Sequence, residues 1–138
     1  MSNPEKHTNE DKKRFSIIAQ IKSLTHASRG LRIFFKTTHN AWVQIFFGLL
    51  AICLSITLRI SSMEWIAIIF CIGLVLIAEA FNTAIEIDID LTSPDFHPYA
   101  RDTKDVAAAA VLLSVITAIA IGLIIFLPKI FNLLLFTS

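Results

Sequence analysis

The amino-acid sequence predicts an all-α integral membrane protein with an N-terminal amphipathic surface helix and three transmembrane helices. Hydrophobic residues make up 55% of the 138-residue chain. Three apolar runs approach or reach the roughly 20 residues that a membrane span requires. Basic and acidic residues are also segregated along the sequence, which indicates local rather than global charge effects. Because three such runs would not share the small core of one soluble domain, we interpret residues 1–138 as a single membrane domain.

The N-terminal region is expected to contain a polar tail followed by a surface helix. Residues 1–14 are polar and are predicted to be disordered. From Ser16 to Lys36, apolar residues recur at spacings of three and four, which is the period of one helical face. Interspersed basic residues favour a helix that lies on an anionic membrane surface. A soluble amphipathic helix is the alternative interpretation.

Three segments are predicted to span the membrane, over about residues 42–60, 65–86 and 106–127. The short connector Arg59–Glu64 predicts that the first two spans form an antiparallel hairpin. Trp42 and Trp65, at the starts of the first two spans, fit anchors at the membrane–water interface.

The second connector, about Leu91–Asp105, is polar and contains two prolines. Asp102 and Asp105 are expected to open the third helix, since acidic side chains favour the positive end of a helix dipole.

The distribution of basic residues predicts the orientation of the chain. Eight of the twelve Lys and Arg residues precede Ala41. Because basic residues concentrate on the cytoplasmic side, the N-terminus should be cytoplasmic. Arg59 and Lys129 would then lie outside, and Arg101 and Lys104 inside.

Acidic and amide side chains line one face of the second span and of its continuation. At about 100° per residue, Glu79, Asn82, Glu86 and Asp90 fall within an arc of roughly 60°, and we call these four residues the acidic stripe. Asp88 points almost the opposite way. An ionised group at membrane depth is costly unless it is paired, hydrated or bound to a cation. The stripe therefore predicts a cation or proton-transfer site, and the alternative is that these polar groups only hold helices together.

Position along the acidic stripe suggests a role for each residue. Glu79 would be the deepest, and removal from water makes a carboxylate a stronger proton acceptor. Glu86, two turns nearer the cytoplasm, is the candidate ligand for Mg²⁺, which shares its coordination sphere with water and phosphate oxygens. Asn82 can orient either a neighbouring side chain or a substrate. Asp90 extends the stripe toward the cytoplasmic connector.

The connector contributes further candidate ligands for a nucleotide. Its charged and polar residues include Asp95, His97, Arg101, Asp102, Lys104 and Asp105. A lysine near a carboxylate-held cation is a common arrangement around nucleotide phosphates. Because the sequence contains neither a GxxxxGK[ST] loop nor a GxGxxG motif, any ATP site would differ from the common nucleotide-binding folds. Alternatives are a simple loop residue for His97, a solvated helix end for Asp90 and a charge at a helix N-terminus for Asp105.

Taken together, these motifs resemble the prokaryotic diacylglycerol kinase family. The pattern Glu-x-x-Asn-[Ser/Thr]-Ala-Ile-Glu-x-x-x-Asp runs from Glu79 to Asp90, and His97, Lys104-Asp105 and Ala107–Ala110 follow it. Arg29-Gly30-Leu31-Arg32 also matches, and the resemblance covers roughly residues 23–126.

The resemblance implies a membrane kinase domain of the bacterial cytoplasmic (inner) membrane. Its members assemble as homotrimers with active sites shared between subunits, and no nucleic acid is involved. They use ATP and Mg²⁺ to phosphorylate a membrane lipid alcohol, which is diacylglycerol in one branch and undecaprenol in another. The segment from Thr92 to Pro98 is more similar to the undecaprenol branch.

The resemblance also implies roles for individual residues. Glu79 would accept the proton of the lipid hydroxyl and, with Asn82, contact the lipid substrate, while Glu86 would bind Mg²⁺ and contact ATP. The other implied nucleotide-binding residues are His26, Asp95, Phe96, His97, Lys104 and Asp105. The family commonly has a second Mg²⁺-binding glutamate where this chain has Thr38, whose neutral hydroxyl is a weak ligand. Thr38 motivates two alternatives, namely a lipid phosphatase and a non-catalytic membrane scaffold or ion-binding protein.

Overall fold

A computed structural model describes residues 17–137 of the chain. It contains four helices, α1 (Ile17–Thr37), α2 (His39–Thr57), α3 (Ser62–Thr92) and α4 (Pro98–Thr137). The all-α prediction is therefore confirmed. The predicted tail, residues 1–14, lies outside the described residues. The chain forms two compact units, one that ends at Ile33 and one that begins at Phe34.

Helix α1 corresponds to the predicted N-terminal helix. Ser16 lies outside the described residues, and the helix ends one residue after the predicted Lys36. Its apolar residues Ile21 and Leu24 are 59% and 72% exposed within the unit. Apolar side chains on a helix with this much exposure require another apolar environment, so a position on a membrane surface remains our prediction.

The second unit contains three helices that are long and apolar enough to cross a membrane, namely α2, α3 and the Pro98–Leu135 part of α4. Ion pairs mark the two ends of this antiparallel arrangement. At one end Lys129 Nζ lies 3.1 Å from Glu64 Oε2, and at the other Lys104 Nζ lies 2.7 Å from Asp90 Oδ1. The three predicted apolar helices are therefore present.

A tight turn joins α2 and α3, as the sequence predicts. Arg59 adopts a left-handed backbone conformation with φ of 48°, and the N–H of Ile60 donates to the carbonyl of Ser55. Ser61 then caps α3, because its hydroxyl accepts from the N–H of Glu64 while Glu64 Oε2 accepts from the N–H of Ser61. This reciprocal capping satisfies two N–H groups that a helix start would otherwise leave unpaired.

The predicted length of the second connector is wrong. Helix α3 continues to Thr92 and α4 begins at Pro98, so the connector contains only residues 93–97. Asp102 and Asp105 therefore lie inside α4 and do not open it. Proline is favourable in the first helical turn because its missing N–H would be unpaired there in any case. Hydropathy located only the apolar part of α4 and missed its polar first two turns.

The buried residues of the second unit differ between its two ends. Near the α2–α3 turn, Ile60, Ile68 and Ile125 form an apolar cluster. At the opposite end most buried residues are small or polar, namely Ala41, Glu79, Asn82, Thr83 and Ala107, and Phe34 is the large apolar exception. Buried polar groups are costly unless hydrogen-bonded, so this polar end is where a functional site is expected.

Candidate active site

Glu79 is the most buried charged residue in the described part of the chain, with 2% of its surface exposed. Helix α3 directs its carboxylate toward α2, where Gln44 Nε2 donates to Glu79 Oε2 at 2.7 Å. A buried charged group is costly unless it is hydrogen-bonded, so the amide of Gln44 stabilises a carboxylate that burial alone would destabilise.

The Gln44–Glu79 hydrogen bond follows from the antiparallel packing of α2 on α3. Contacts between the two helices run in opposite directions along the chain, at Thr38–Thr83, Gln44–Glu79 and Gly48–Ile72. A Cβ at Gly48 would lie 3.3 Å from Ile72 Cγ2. The glycine thus permits the close approach of the two helices one turn from Gln44.

Two threonines extend the contact between α2 and α3. The hydroxyl of Thr83 donates to the carbonyl of Glu79 at 2.9 Å, and it lies 2.8 Å from the hydroxyl of Thr38. Because a hydroxyl carries one hydrogen, Thr38 is then the donor to Thr83. Thr38 is the residue before the first turn of α2. Its hydroxyl therefore links the start of α2 to the backbone of the acidic stripe.

Asn82 and Glu86 form the next layer of the acidic stripe. Asn82 Nδ2 donates to Glu86 Oε1 at 3.2 Å, while Asn82 Oδ1 is buried without a hydrogen-bond partner among the described residues. Glu86 is half-buried. A carboxylate beside an unpaired amide oxygen suits a hard cation such as Mg²⁺, which prefers oxygen ligands. Within residues 17–137, no group of three or more His, Cys, Asp or Glu side chains is arranged to hold a metal.

Charged residues continue the site toward the connector. Lys104 Nζ lies 2.7 Å from Asp90 Oδ1, so α4 brings a cation to the end of the acidic stripe. Asp105 instead pairs with Arg101 on α4 at 3.6 Å, and both side chains are exposed. Lys104 and Asp105 therefore contact different partners although they are adjacent in sequence.

The connector presents the remaining predicted nucleotide ligands to solvent. Asp95, Phe96 and His97 are all exposed, and Phe96 reaches 82%. The ring of His97 lies 5.7 Å from that of Tyr99. His26 belongs to the first compact unit, on α1. The predicted roles of these residues in nucleotide binding stay predictions.

An apolar cavity of about 470 Å³ lies among α2, α3 and α4. Its lining includes Gln44, Phe47, Ile68, Val75, Ile119 and Phe126. Gln44 is the polar residue that both lines this cavity and bonds Glu79. Through Gln44, the lining of the cavity thus contacts the buried carboxylate.

Comparison with known proteins agrees with this arrangement. A sequence model of the prokaryotic diacylglycerol kinase family matches residues 25–126. The chain belongs to this family. It is 36% identical over 108 residues to undecaprenol kinase of Bacillus subtilis, which covers 78% of this chain and 88% of that protein. It is 33% identical over 113 residues to diacylglycerol kinase of Synechocystis, with 81% and 65% covered. By family and by these relatives, the protein is a membrane lipid kinase.

The geometry of this lipid kinase brings together part of the predicted site. Asn82 contacts Glu86 directly, and Asp90 contacts Lys104. The sequence reasoning missed Gln44, whose hydrogen bond to Glu79 joins two helices. A signal was available, since Gln44 is a polar side chain within an uncharged apolar run, and such residues are usually functional.

Proposed function

We propose that this lipid kinase transfers the γ-phosphate of ATP to the hydroxyl of a membrane lipid alcohol, with Glu79 as the proton acceptor. The observation that carries the proposal is the Glu79 carboxylate, which is buried, hydrogen-bonded by Gln44 and close to an apolar cavity. A buried carboxylate with one oxygen bonded to an amide has its other oxygen available to accept a proton. General-base assistance of this kind contributes about 10²- to 10⁴-fold to a rate.

The reaction requires one proton transfer and one phosphoryl transfer. The O–H bond of the lipid alcohol breaks and its proton moves to Glu79. The alcohol oxygen then bonds the γ-phosphorus while the bond from that phosphorus to the ADP oxygen breaks. Phosphoryl transfer depends mainly on positioning and on neutralising charge, so the fixed orientation of Glu79 supports this chemistry.

Glu86 would hold Mg²⁺, which neutralises phosphate charge when bound. The contact from Asn82 orients the Glu86 carboxylate. Thr38 stands where the family pattern has a charged ligand. It donates its hydroxyl hydrogen to Thr83, so its role here is a contact between α2 and α3. We therefore expect the metal to be held by fewer protein carboxylates and more phosphate and water oxygens than the resemblance implies.

Lys104 would bind phosphate oxygens of ATP, with Asp90 setting its position before the nucleotide arrives. The exposed connector residues Asp95, Phe96 and His97 would lie in the nucleotide-binding loop. Asp105 completes the proposed nucleotide ligands of the second unit, and His26 in the first unit stays a predicted nucleotide ligand. We further propose that the protein is a homotrimer in a bacterial cytoplasmic membrane, with its N-terminus in the cytoplasm.

The lipid would place its hydrocarbon chain along the apolar cavity and its hydroxyl near Glu79. Both diacylglycerol and undecaprenol present one alcohol at the end of long apolar chains. The relatives include kinases named for each of these lipids, and the cavity walls carry too few polar groups to select between them.

The decisive experiment is a phosphotransfer assay with purified protein in mixed micelles. Labelled ATP is supplied with diacylglycerol or undecaprenol, each with and without Mg²⁺. We expect at least one of the two lipids to be labelled, and this labelling should require Mg²⁺. Glu79→Gln should lower the rate by at least about 10²-fold while the size of the oligomer in detergent is unchanged.

Other outcomes of this assay contradict the proposal in specific ways. Transfer to neither lipid would overturn the kinase assignment for these substrates. Phosphate release from a lipid phosphate without ATP would favour a phosphatase. Full activity in Glu79→Gln would remove Glu79 as the proton acceptor.

A further inference from the structure

We propose that Gln44 is a positioning residue for Glu79, which holds one carboxylate oxygen through its Nε2 donor so that the other oxygen faces the lipid hydroxyl and receives its proton. This inference rests on the proposed role of Glu79 as the proton acceptor. It assigns a function to a residue on α2 that lies 35 positions before Glu79 in the sequence.

The first part of the argument is the observed hydrogen bond. Gln44 Nε2 donates to Glu79 Oε2 at 2.7 Å. The bond fixes one carboxylate oxygen and leaves the other to face an incoming hydroxyl. A carboxylate held in this way needs little reorganisation when it accepts the proton.

The second part is an unpaired acceptor on the same side chain. Gln44 Oε1 is buried and has no hydrogen-bond partner in the part of the chain that the structure describes. A buried acceptor without a partner is costly and needs an explanation. The bond from Nε2 to Glu79 offsets this cost and, among the described residues, is the contact that sets which way the amide points.

An uncharged donor suits both stages of the reaction. After proton transfer the new O–H lies on the free oxygen of Glu79, and the other oxygen of the acid still accepts from Nε2. The amide therefore keeps its bond without rotating. Lysine would add a positive charge that weakens the carboxylate as a proton acceptor, and methionine offers no donor.

The surroundings of the Gln44–Glu79 contact are largely apolar. Gln44 lines the apolar cavity, and Glu79 is 2% exposed. In such surroundings a hydrogen bond is stronger than in water and an unmatched polar group is more costly. Gln44 therefore affects both the reactant state and the state after proton transfer.

Two substitutions test the role by kinetics. Gln44→Met removes the donor with a similar side-chain length, and Gln44→Lys retains a donor to Glu79 but adds a positive charge that weakens the carboxylate as a proton acceptor. We expect kcat to fall about 10- to 100-fold in both variants, because one loses the hydrogen bond and the other gains the charge, while the KM for ATP changes less than about 2-fold. A merely structural contact predicts lower stability but nearly normal kcat in Gln44→Met.

Ser55→Ala is the matched control. Ser55 is a fully buried polar residue on the same helix, and its hydroxyl bonds the carbonyl of Ala51 within α2. Its kcat should stay within about 2-fold of the unsubstituted protein, because a bond within one helix does not reach Glu79.

A spectroscopic measurement separates this inference from the kinase assignment. The infrared difference between unsubstituted protein and Glu79→Gln identifies the Glu79 carboxylate band, and this band should shift in Gln44→Met but not in Ser55→Ala. Normal kcat in both Gln44 variants of an active kinase would overturn the role of Gln44 alone. An unshifted band in Gln44→Met would do the same. If the unsubstituted protein transfers no phosphate although the band shifts, the proposed function is wrong. The role of Gln44 in catalysis is then wrong as well, and its hydrogen bond to Glu79 is a structural contact only.

Discussion

Lys104 shows how a single residue connects α4 to the acidic stripe. Its ion pair with Asp90 is short, but the two side chains are 36% and 67% exposed. Pairs this accessible to solvent contribute little to folding stability. Stability therefore gives little reason for the contact, and binding of a phosphate gives a better one.

We predict that Lys104→Met raises the KM for ATP about 10-fold or more, because loss of one cation–phosphate contact is worth about 1.4 kcal/mol or more. The measurement is the initial rate at varied ATP with saturating lipid. Lys129→Met is a matched control, since Lys129 lies on the same helix and is paired with Glu64 at the opposite end. An unchanged KM in Lys104→Met would remove Lys104 from the nucleotide site.

Residues of the acidic stripe could be predicted from the sequence because their relation is local. The period of one helix fixes which side chains share a face, whatever packs against it. The partner of Glu79 could not be predicted in that way. Gln44 reaches Glu79 only through the register of α2 against α3, which depends on the turn at Arg59 and on the close approach at Gly48.

At the scale of the elements, the polar end of α2 is joined to α3 by side-chain hydroxyls. Thr38 and Thr83 form one hydrogen bond between the start of α2 and α3, and Thr83 also donates to the backbone carbonyl of Glu79. The bond positions α2 relative to the acidic stripe. It also explains how Thr38 can have a structural role without binding a metal.

We predict that Thr83→Val lowers the free energy of unfolding by about 0.5–1.5 kcal/mol, since it keeps the shape but removes the interhelical bond. Thr83→Ser retains the hydroxyl and should be closer to the unsubstituted protein. Thr57→Val is the control, because the Thr57 hydroxyl bonds only the carbonyl of Cys53 in its own helix. Equal losses in Thr83→Val and Thr57→Val, measured by denaturant unfolding in micelles, would exclude an interhelical contribution.

Helix boundaries illustrate a second limit of sequence reasoning. Apolar runs located α2, α3 and α4, because membrane spans are defined by composition. They did not locate the polar start of α4, which begins at Pro98 rather than near Asp105. Polar helical turns outside the hydrocarbon region resemble loops in hydropathy, so only the position of the proline indicated the true boundary.

At the scale of the whole molecule, the second unit has a polar end and an apolar end, and the proposed function requires one of them to face the cytoplasm. ATP is a cytoplasmic substrate, so the end that carries Asp90 and Lys104 must face the cytoplasm if the proposed function holds. The uneven distribution of basic residues predicts the same orientation independently. The Ser61–Glu64 cap and Lys129 would then lie on the outer side.

We predict that the two ends of α3 react with a membrane-impermeant maleimide from opposite sides of the membrane. Cys53 and Cys71 are first replaced by alanine, and a single cysteine is introduced at Ser62 or at Thr92, both of which are exposed. Ser62→Cys should be labelled in intact bacterial spheroplasts, whereas Thr92→Cys should be labelled only after permeabilisation. The reverse pattern would contradict the predicted orientation. Labelling of both cysteines from outside would contradict a membrane-spanning α3, because a helix that crosses the bilayer cannot expose both ends to one compartment.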